Sequence, residues 1–324
     1  MNNNFDIDVV ITWVDGNERE HVNKINKYIE DKSKLNNQKF LTRFNQVNEI
    51  EFCVKSILKF APYIRTIFIV TDQQTPTFIK NKLNSVNYQN IKIIDHKVIF
   101  KGYENYLPTF NSNSIETMLN RIPGLAEHFI YFNDDLFLIK ETKPTDFFKN
   151  GNPIIRGKWT AYDSDKIHKV VYQKILRLLG KETKDKKGGY KKAQQNIAQI
   201  LEFKKYLKLD HTPAALRKST IKGYFEQYPN MLIHNIKFRF RHPSYYMIQS
   251  LANHLEIKSK SCELKSDYQL GYFQSYRKLL FWYKIKLKYF ARDTNKLFLC
   301  MQSLDLCPKD KLSFILNWLN KQVC

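Results

Sequence analysis

Phe129-Ile130-Tyr131-Phe132-Asn133-Asp134-Asp135 is a short apolar run that stops at two adjacent carboxylates. Four consecutive apolar or aromatic residues suit a strand buried on both faces of a parallel sheet. The acids that follow would stand side by side at the mouth of that strand, where a divalent cation could hold them together. Towards the N-terminus three more runs have the same shape. Val9-Val10-Ile11-Thr12-Trp13-Val14 leads into Asp15-Gly16, Ile67-Phe68-Ile69-Val70-Thr71 into Asp72, and Ile91-Lys92-Ile93-Ile94 into Asp95-His96. Between them Ile50, Val54, Ile57 and Leu58 recur at helical spacing within 48–60 until Pro62 ends the pattern, and a second helix is predicted over 114–120.

Strands that alternate with helices need crossover connections, which predicts an α/β fold with a mostly parallel, Rossmann-like sheet. In such a sheet the ligand crevice lies outside the carboxyl ends of the strands. Each strand-end acid taken singly also reads as a turn residue or as the cap of the next helix. Four together, one of them doubled, point to a site. Past residue 160 the pattern weakens. Residues 181–192 carry six lysines and two glycines and read as a solvated loop in a helical insertion, while 197–208 and 214–228 read as helices. Tyr283, Ile285, Leu287 and Tyr289 alternate with Lys284, Lys286 and Lys288, a period of two that suits a strand with one basic face or a basic segment lying on a membrane. The division that follows is a core over 5–160, a basic helical insertion over 161–210, and a largely helical C-terminal portion over 211–324.

Composition narrows the partners. Lys and Arg exceed Asp and Glu by 53 − 31 = 22 in 324 residues, and so large an excess calls for nucleic acid, an acidic membrane face, or a phosphorylated or acidic glycan. An AT-rich genome, which favours lysine and asparagine codons, would raise the same count without a functional cause. Hydrophobic residues at 43% and aromatics at 14% exclude a disordered chain. No run nears the roughly 20 apolar residues of a membrane span, and the first residues lack the basic and apolar regions of a signal peptide. Cys53, Cys262, Cys300, Cys307 and Cys324 show no CxxC spacing, which points to a reduced, cytoplasmic setting without structural zinc.

Among chemistry-bearing residues, Asp134 and Asp135 are the metal candidates. Glu116 closes Asn113-Ser114-Ile115-Glu116, which has the spacing of a capping box. His211 lies beside Asp210 just before a helix, a setting for a general base or for a merely solvated histidine. Arg239 and Arg241 alternate with aromatics, so that an extended backbone would aim both guanidinium groups to one side, against phosphate oxygens or simply as a basic face. Arg43 and Arg121 are further phosphate-binding candidates. Neither a Gly-rich phosphate loop nor a nucleophile elbow occurs, so any nucleotide would be held by the strand-end crevice and by side chains.

These blocks together resemble the Stealth family of sugar-phosphate transferases, which includes bacterial capsule polymerases and a lysosomal-enzyme GlcNAc-1-phosphotransferase. The likeness rests on 7–16, on 43–50, 56–57 and 61–65, on 69–74, 107–112, 115–116 and 121–125 leading into Asn133-Asp134-Asp135, and on His211-Thr212-Pro213 through Lys218 to Phe240-Arg241-His242-Pro243. A fourth block is only faintly matched near Phe298-Leu299-Cys300-Met301-Gln302, where Gln302-Ser303 stands for an Asn-Asp pair, and Gln46-Val47 stands where the family has Asp-Asn. The resemblance implies transfer of a hexose-1-phosphate, such as an N-acetylhexosamine-1-phosphate, from a UDP-sugar to a glycan hydroxyl with release of UMP. It implies Glu116, Asp135, His211 and Arg241 as catalytic residues. Asp15, Arg43, Asp72, Arg121, Lys218 and Arg239 would then bind substrate, with Mg²⁺ or Mn²⁺ at Asp134 and Asp135. Expected partners are the UDP-sugar, an anionic glycan acceptor, and an inner-membrane surface or capsule-assembly proteins, with no nucleic acid. Two other readings stay open: a metal-dependent glycosyltransferase that releases UDP, and a basic module binding nucleic acid or membrane.

Overall fold

The computed structural model describes residues 5–42, 44–80, 82, 85–86, 88–166 and 189–323. Its centre is a five-stranded sheet built from β1 (Ile7–Thr12), β2 (Ile67–Thr71), β3 (Ile91–Asp95), β4 (His128–Asn133) and an edge strand, Ala214–Arg217. The first four are parallel, in the order β4-β1-β2-β3, and the edge strand runs antiparallel against β4. Register sets Thr12 opposite both Asn133 and Val70, and Thr71 opposite Asp95, so the four carboxyl ends finish nearly level. Because β1 lies between β2 and β4, chain order reverses there, and the crevice opens at that reversal.

Continuous apolar runs form these strands because both faces of the sheet are covered. After β1 the chain forms α1 (Arg19–Tyr28), and on one face of the sheet Ile7, Val9, Ile69, Ile130 and Phe132 share a core with α2 (Glu49–Phe60) and with Ile315 and Leu319 of the C-terminal helix Lys309–Val323. On the other face Val10, Phe68 and Phe129 pack with helices of the middle and C-terminal parts through Ile115, Phe225 and Leu251. One charge is buried within β1. Asp8 is fully buried and accepts from Arg65 Nε (2.9 Å), from a second guanidinium nitrogen of Arg65 (2.6 Å) and from the Ala126 amide (2.7 Å).

Directly after the acid pair, β5 (Leu136–Leu138) pairs antiparallel with a C-terminal strand, Phe298–Met301, which pairs in turn with Leu270–Phe273. The far end of the chain is thereby brought against residues 134–138.

The C-terminal half departs from the sequence-based expectation in three places. Residues 197–208 are helical only as the end of Tyr190–Ile200, and Tyr206–Lys208 is a strand. Residues 214–217 are the edge strand, with the helix starting at Lys218. The alternating lysine tract is a helix, α3 (Leu280–Arg292), that buries Tyr283, Leu287 and Phe290 at helical spacing. Residues 167–188, which include most of the expected basic loop, lie outside the described residues. No described helix is long and apolar enough to cross a membrane.

Candidate active site

The crevice is a cavity of about 640 Å³ lined from both halves of the chain, a size suited to a nucleotide-sugar ligand. Its floor is acidic. Asp134 and Asp135 sit in the tight turn between β4 and β5, and the Asp135 carbonyl accepts from the Met301 amide (3.0 Å). Glu49 reaches the same floor from the first turn of α2, where Asn48 adopts a left-handed backbone (φ 65°) and the Val47 amide donates to Glu49 Oε2 (2.5 Å). These carboxyls lie in one another's field in a poorly solvated place, so they resist ionising together. Burial, then the charge of Asp134, raises Glu49 to about 7; burial, then Asp135, raises Asp134 to about 7. Burial, then Glu49, raises Asp135 to about 6. Asp135 Oδ1 is buried without a hydrogen-bond partner, while its Oδ2 takes the Cys300 thiol (3.7 Å).

That orphaned oxygen and the mutually raised carboxyls fit a divalent cation held by Asp134 and Asp135. No described group of three His, Cys, Asp or Glu residues is disposed to hold a metal unaided. A cation here would complete its shell with phosphate oxygens and water, as Mg²⁺ commonly does.

Above the floor, His211 is clamped between two tyrosines. Its ring stacks on Tyr190 (centroids 4.5 Å apart, 17° between planes) and on Tyr272 (5.5 Å, 7°). Tyr190 is fixed by donating to the Asp210 carbonyl (2.9 Å) and Tyr272 by donating to Gln302 Oε1 (2.7 Å). Burial, opposed by the charge of Asp210, lowers the histidine pKa, so the neutral ring with a free lone pair dominates near neutrality. Across the cavity Glu116 is buried, accepts from Gln249 Nε2 (2.9 Å), and is raised by burial against the opposing field of Arg241. Its helix, Ser112–Thr117, is capped by Asn111, whose side chain accepts from the Asn113 amide, so Glu116 does not close a capping box.

At the β2–β3 end the cavity has polar edges in want of partners. Trp13 Nε1, His21 Nε2 and His96 Nε2 are buried without hydrogen bonds, while His21 Nδ1 faces Asp72 Oδ2 at 3.9 Å, and all three residues line the cavity. Burial pushes His96 down to about 4, so it stays neutral. An aromatic ring with donors and acceptors on its rim would meet suitable contacts there.

Of the residues singled out from the sequence, Glu116, Asp134, Asp135, His211 and Arg241 come together on this cavity. Asp15, Asp72, Asp95, Arg121, Lys218 and Arg239 do not line it. Asp15 accepts from the Asn17 amide (2.9 Å) and shapes a turn. Asp72 pairs with Lys24 (2.9 Å); burial would raise it, but His21 and Lys24 hold it down to about 2. Asp95 caps the helix that follows it. Arg121 donates to the carbonyls of Ile99 and Lys101 and covers the Tyr103 ring. Lys218 reaches the Leu125 carbonyl (3.4 Å). Arg239 donates to the carbonyls of Pro108 (2.7 Å) and Asn105 (3.2 Å), so its backbone does not aim it beside Arg241. Arg43 lies outside the described residues. Conversely, Glu49, Tyr190, Tyr272, Gln249 and Asp305 belong to the site or support it without having been singled out. Asp305 accepts from Thr42 Oγ1 (2.6 Å) near the faintly matched fourth block, two residues past the Gln302-Ser303 pair.

Comparison with known proteins gives two family matches, both within residues 5–155. Conserved region 1 of the Stealth proteins matches residues 5–33 and conserved region 2 matches residues 43–155. The capsular polysaccharide phosphotransferase fcs1 of Haemophilus influenzae is 46% identical over 154 residues, which are 46% of this chain and 39% of that protein. The capsular polysaccharide phosphotransferase LcbA of Neisseria meningitidis is 36% identical over 231 residues, 69% of this chain and 57% of that protein. The chain thus spans less than two thirds of either relative. The apo structure of the bifunctional glycosyltransferase WbbM superposes with a TM-score of 0.47 at 10% identity, covering 99% of this chain and 50% of that one.

Proposed function

We propose that the chain, whose residues 5–33 and 43–155 match conserved regions 1 and 2 of the Stealth proteins, transfers a hexose-1-phosphate from a UDP-sugar to a glycan hydroxyl in capsule or surface polysaccharide synthesis. The observation that carries the reading is convergence: Glu116, Asp135, His211 and Arg241, from four separate segments, line one cavity. The relatives' names, capsular polysaccharide phosphotransferases, point the same way. We take 5–160 as the donor-binding part, 211–324 as the part that completes the site, and 161–210 as an insertion between them, acting as one catalytic unit.

The acceptor hydroxyl oxygen attacks the phosphorus that bears the sugar. A new P–O bond forms, the pyrophosphate P–O bond breaks, and UMP leaves with the bridging oxygen. The proton of the hydroxyl passes to His211, whose neutral ring is held by stacking on Tyr190 and Tyr272. Arg241 balances charge on the diphosphate. Glu116, anchored by Gln249, orients the acceptor or acts as a second base. The base of the donor would lie at Trp13, His21 and His96. When bound, Mg²⁺ or Mn²⁺ at Asp134 and Asp135 would neutralise phosphate charge. Most of the work is positioning and charge balance.

A growing chain of phosphate-linked sugars is anionic, and a net charge of +22 suits both it and the inner face of a bacterial membrane. The enzyme would then work in the cytoplasm or peripherally at that face, alone or with capsule-assembly proteins. Incubating purified protein with UDP-N-acetylhexosamine and a glycan acceptor, followed by phosphorus NMR of the product, tests the reading. A phosphodiester resonance is expected, and a product with no phosphorus would overturn it.

A further inference from the structure

Helix α3 is apolar on two faces. One face, Tyr283, Leu287 and Phe290, is buried in the core. At 100° per residue, Phe281, Ile285, Tyr289 and Trp282 fall together on the opposite side. They are 63%, 45%, 56% and 54% exposed, and Leu279, 75% exposed, extends the patch at the N-terminal end. Lys284 and Lys288 run along one edge of this face and Lys286 along the other, with Lys278 and Arg292 at its ends. From Arg277 to Arg292 there are six basic residues and no acidic one.

Large apolar side chains in water cost free energy that an isolated exposed one would not justify, and here four, three of them aromatic, share a face. We infer that α3 lies flat in the headgroup layer of an anionic lipid bilayer, with Phe281, Trp282, Ile285 and Tyr289 inserted and Lys284 and Lys288 on lipid phosphates, while Lys286 donates to the Tyr272 carbonyl (2.6 Å). The chemistry distinguishes this occupant from others. Nucleic acid would use the cations but leave Ile285 and Leu279 in water. A second copy would bring six like charges against six, which repels. An anionic bilayer satisfies both halves of the pattern, since aromatics and cations favour the interface between headgroups and acyl chains.

The placement also bears on the site. Gln274 lines the cavity, and the chain passes from it to the start of α3 at Leu280. A docked helix would hold the cavity close to the bilayer surface, where a lipid-anchored acceptor would be presented. Docking itself does not rest on the proposed reaction, because binding to lipid requires no turnover.

The test is sedimentation of the full chain with vesicles, either phosphatidylcholine alone or with about one third phosphatidylglycerol. Binding to the anionic vesicles is expected, weakening with salt and with removal of phosphatidylglycerol. Phe281→Ser with Trp282→Ser should reduce it about tenfold or more, and Lys288→Glu with Arg292→Glu by a similar factor. Both double variants should melt at the parental temperature and retain turnover on a soluble acceptor. Absence of binding by the parent, or equal binding by both variants, overturns the proposal. So does a patch-dependent dimer in analytical ultracentrifugation, or patch-dependent capture of an acidic peptide, without vesicle binding.

Discussion

Glu49, Asp134 and Asp135 carry a sign that can be read in solution. Their folded values, about 7, 7 and 6, lie above the value near 4 of a carboxyl in an unfolded chain. Between those limits the folded chain holds more protons, so stability falls as pH rises from about 4 to about 7. Melting in chelator should therefore be lower at about pH 8 than at about pH 5, and Mg²⁺ should restore it at the higher pH only. A Mg²⁺ effect of equal size at both pH values would contradict a cation site among these carboxyls. Asp135→Asn and His211→Ala should each lower kcat by about 10²- to 10⁴-fold. Asp135→Asn should melt no lower than the parent in chelator, because it removes repulsion. The burial that lowers His211 places the acid limb of kcat/KM below the ordinary histidine value. Single residues were unevenly legible in the sequence. Asp134-Asp135 stood out because an apolar strand ends on it. Asp15, Asp72 and Asp95 shared that pattern, yet they serve a turn, an ion pair and a cap, since one short carboxylate suits all of these uses. Beyond its place in the 43–50 block Glu49 left no signal, because an acid in the first turn of a helix is what its dipole favours anyway.

Secondary-structure elements were readable where burial is two-sided and opaque where it is not. Strands β1, β2 and β4 are covered on both faces, which forces apolar runs. The edge strand Ala214–Arg217 has four residues and leads straight into a helix, so its short pattern merges with the helical one. In α3 an exposed apolar face opposite a buried one makes apolar and basic residues alternate, which imitates a strand. Two elements can be probed through single contacts. Arg65→Ala would leave Asp8 buried in β1 without its paired cation, at a cost of about 2–4 kcal/mol in urea unfolding. A loss below about 0.5 kcal/mol would show that the pair does not anchor the strand. Gly16 donates its amide to the Phe44 carbonyl (2.9 Å), and a Cβ there would overlap that carbonyl. Gly16→Ala should displace Phe44 from the cavity wall and raise the donor KM more than it lowers kcat.

At the scale of the molecule, the site exists only because the two ends of the chain meet. Ile7 and Leu319 share one core, and Phe298–Met301 pairs with the strand that leaves the acid pair. Nothing in local periodicity announces such a pairing, because it joins segments about half the chain apart. The charge excess is likewise a property of the whole. If an anionic glycan is the acceptor, raising salt should increase its KM steeply while leaving kcat nearly unchanged. An acceptor KM indifferent to salt would remove the electrostatic role. The reaction itself is decided by which bond of the donor breaks. Purified protein turning over a UDP-sugar with a glycan acceptor should release UMP in proportion to phosphodiester formed, and release of UDP instead would contradict sugar-phosphate transfer.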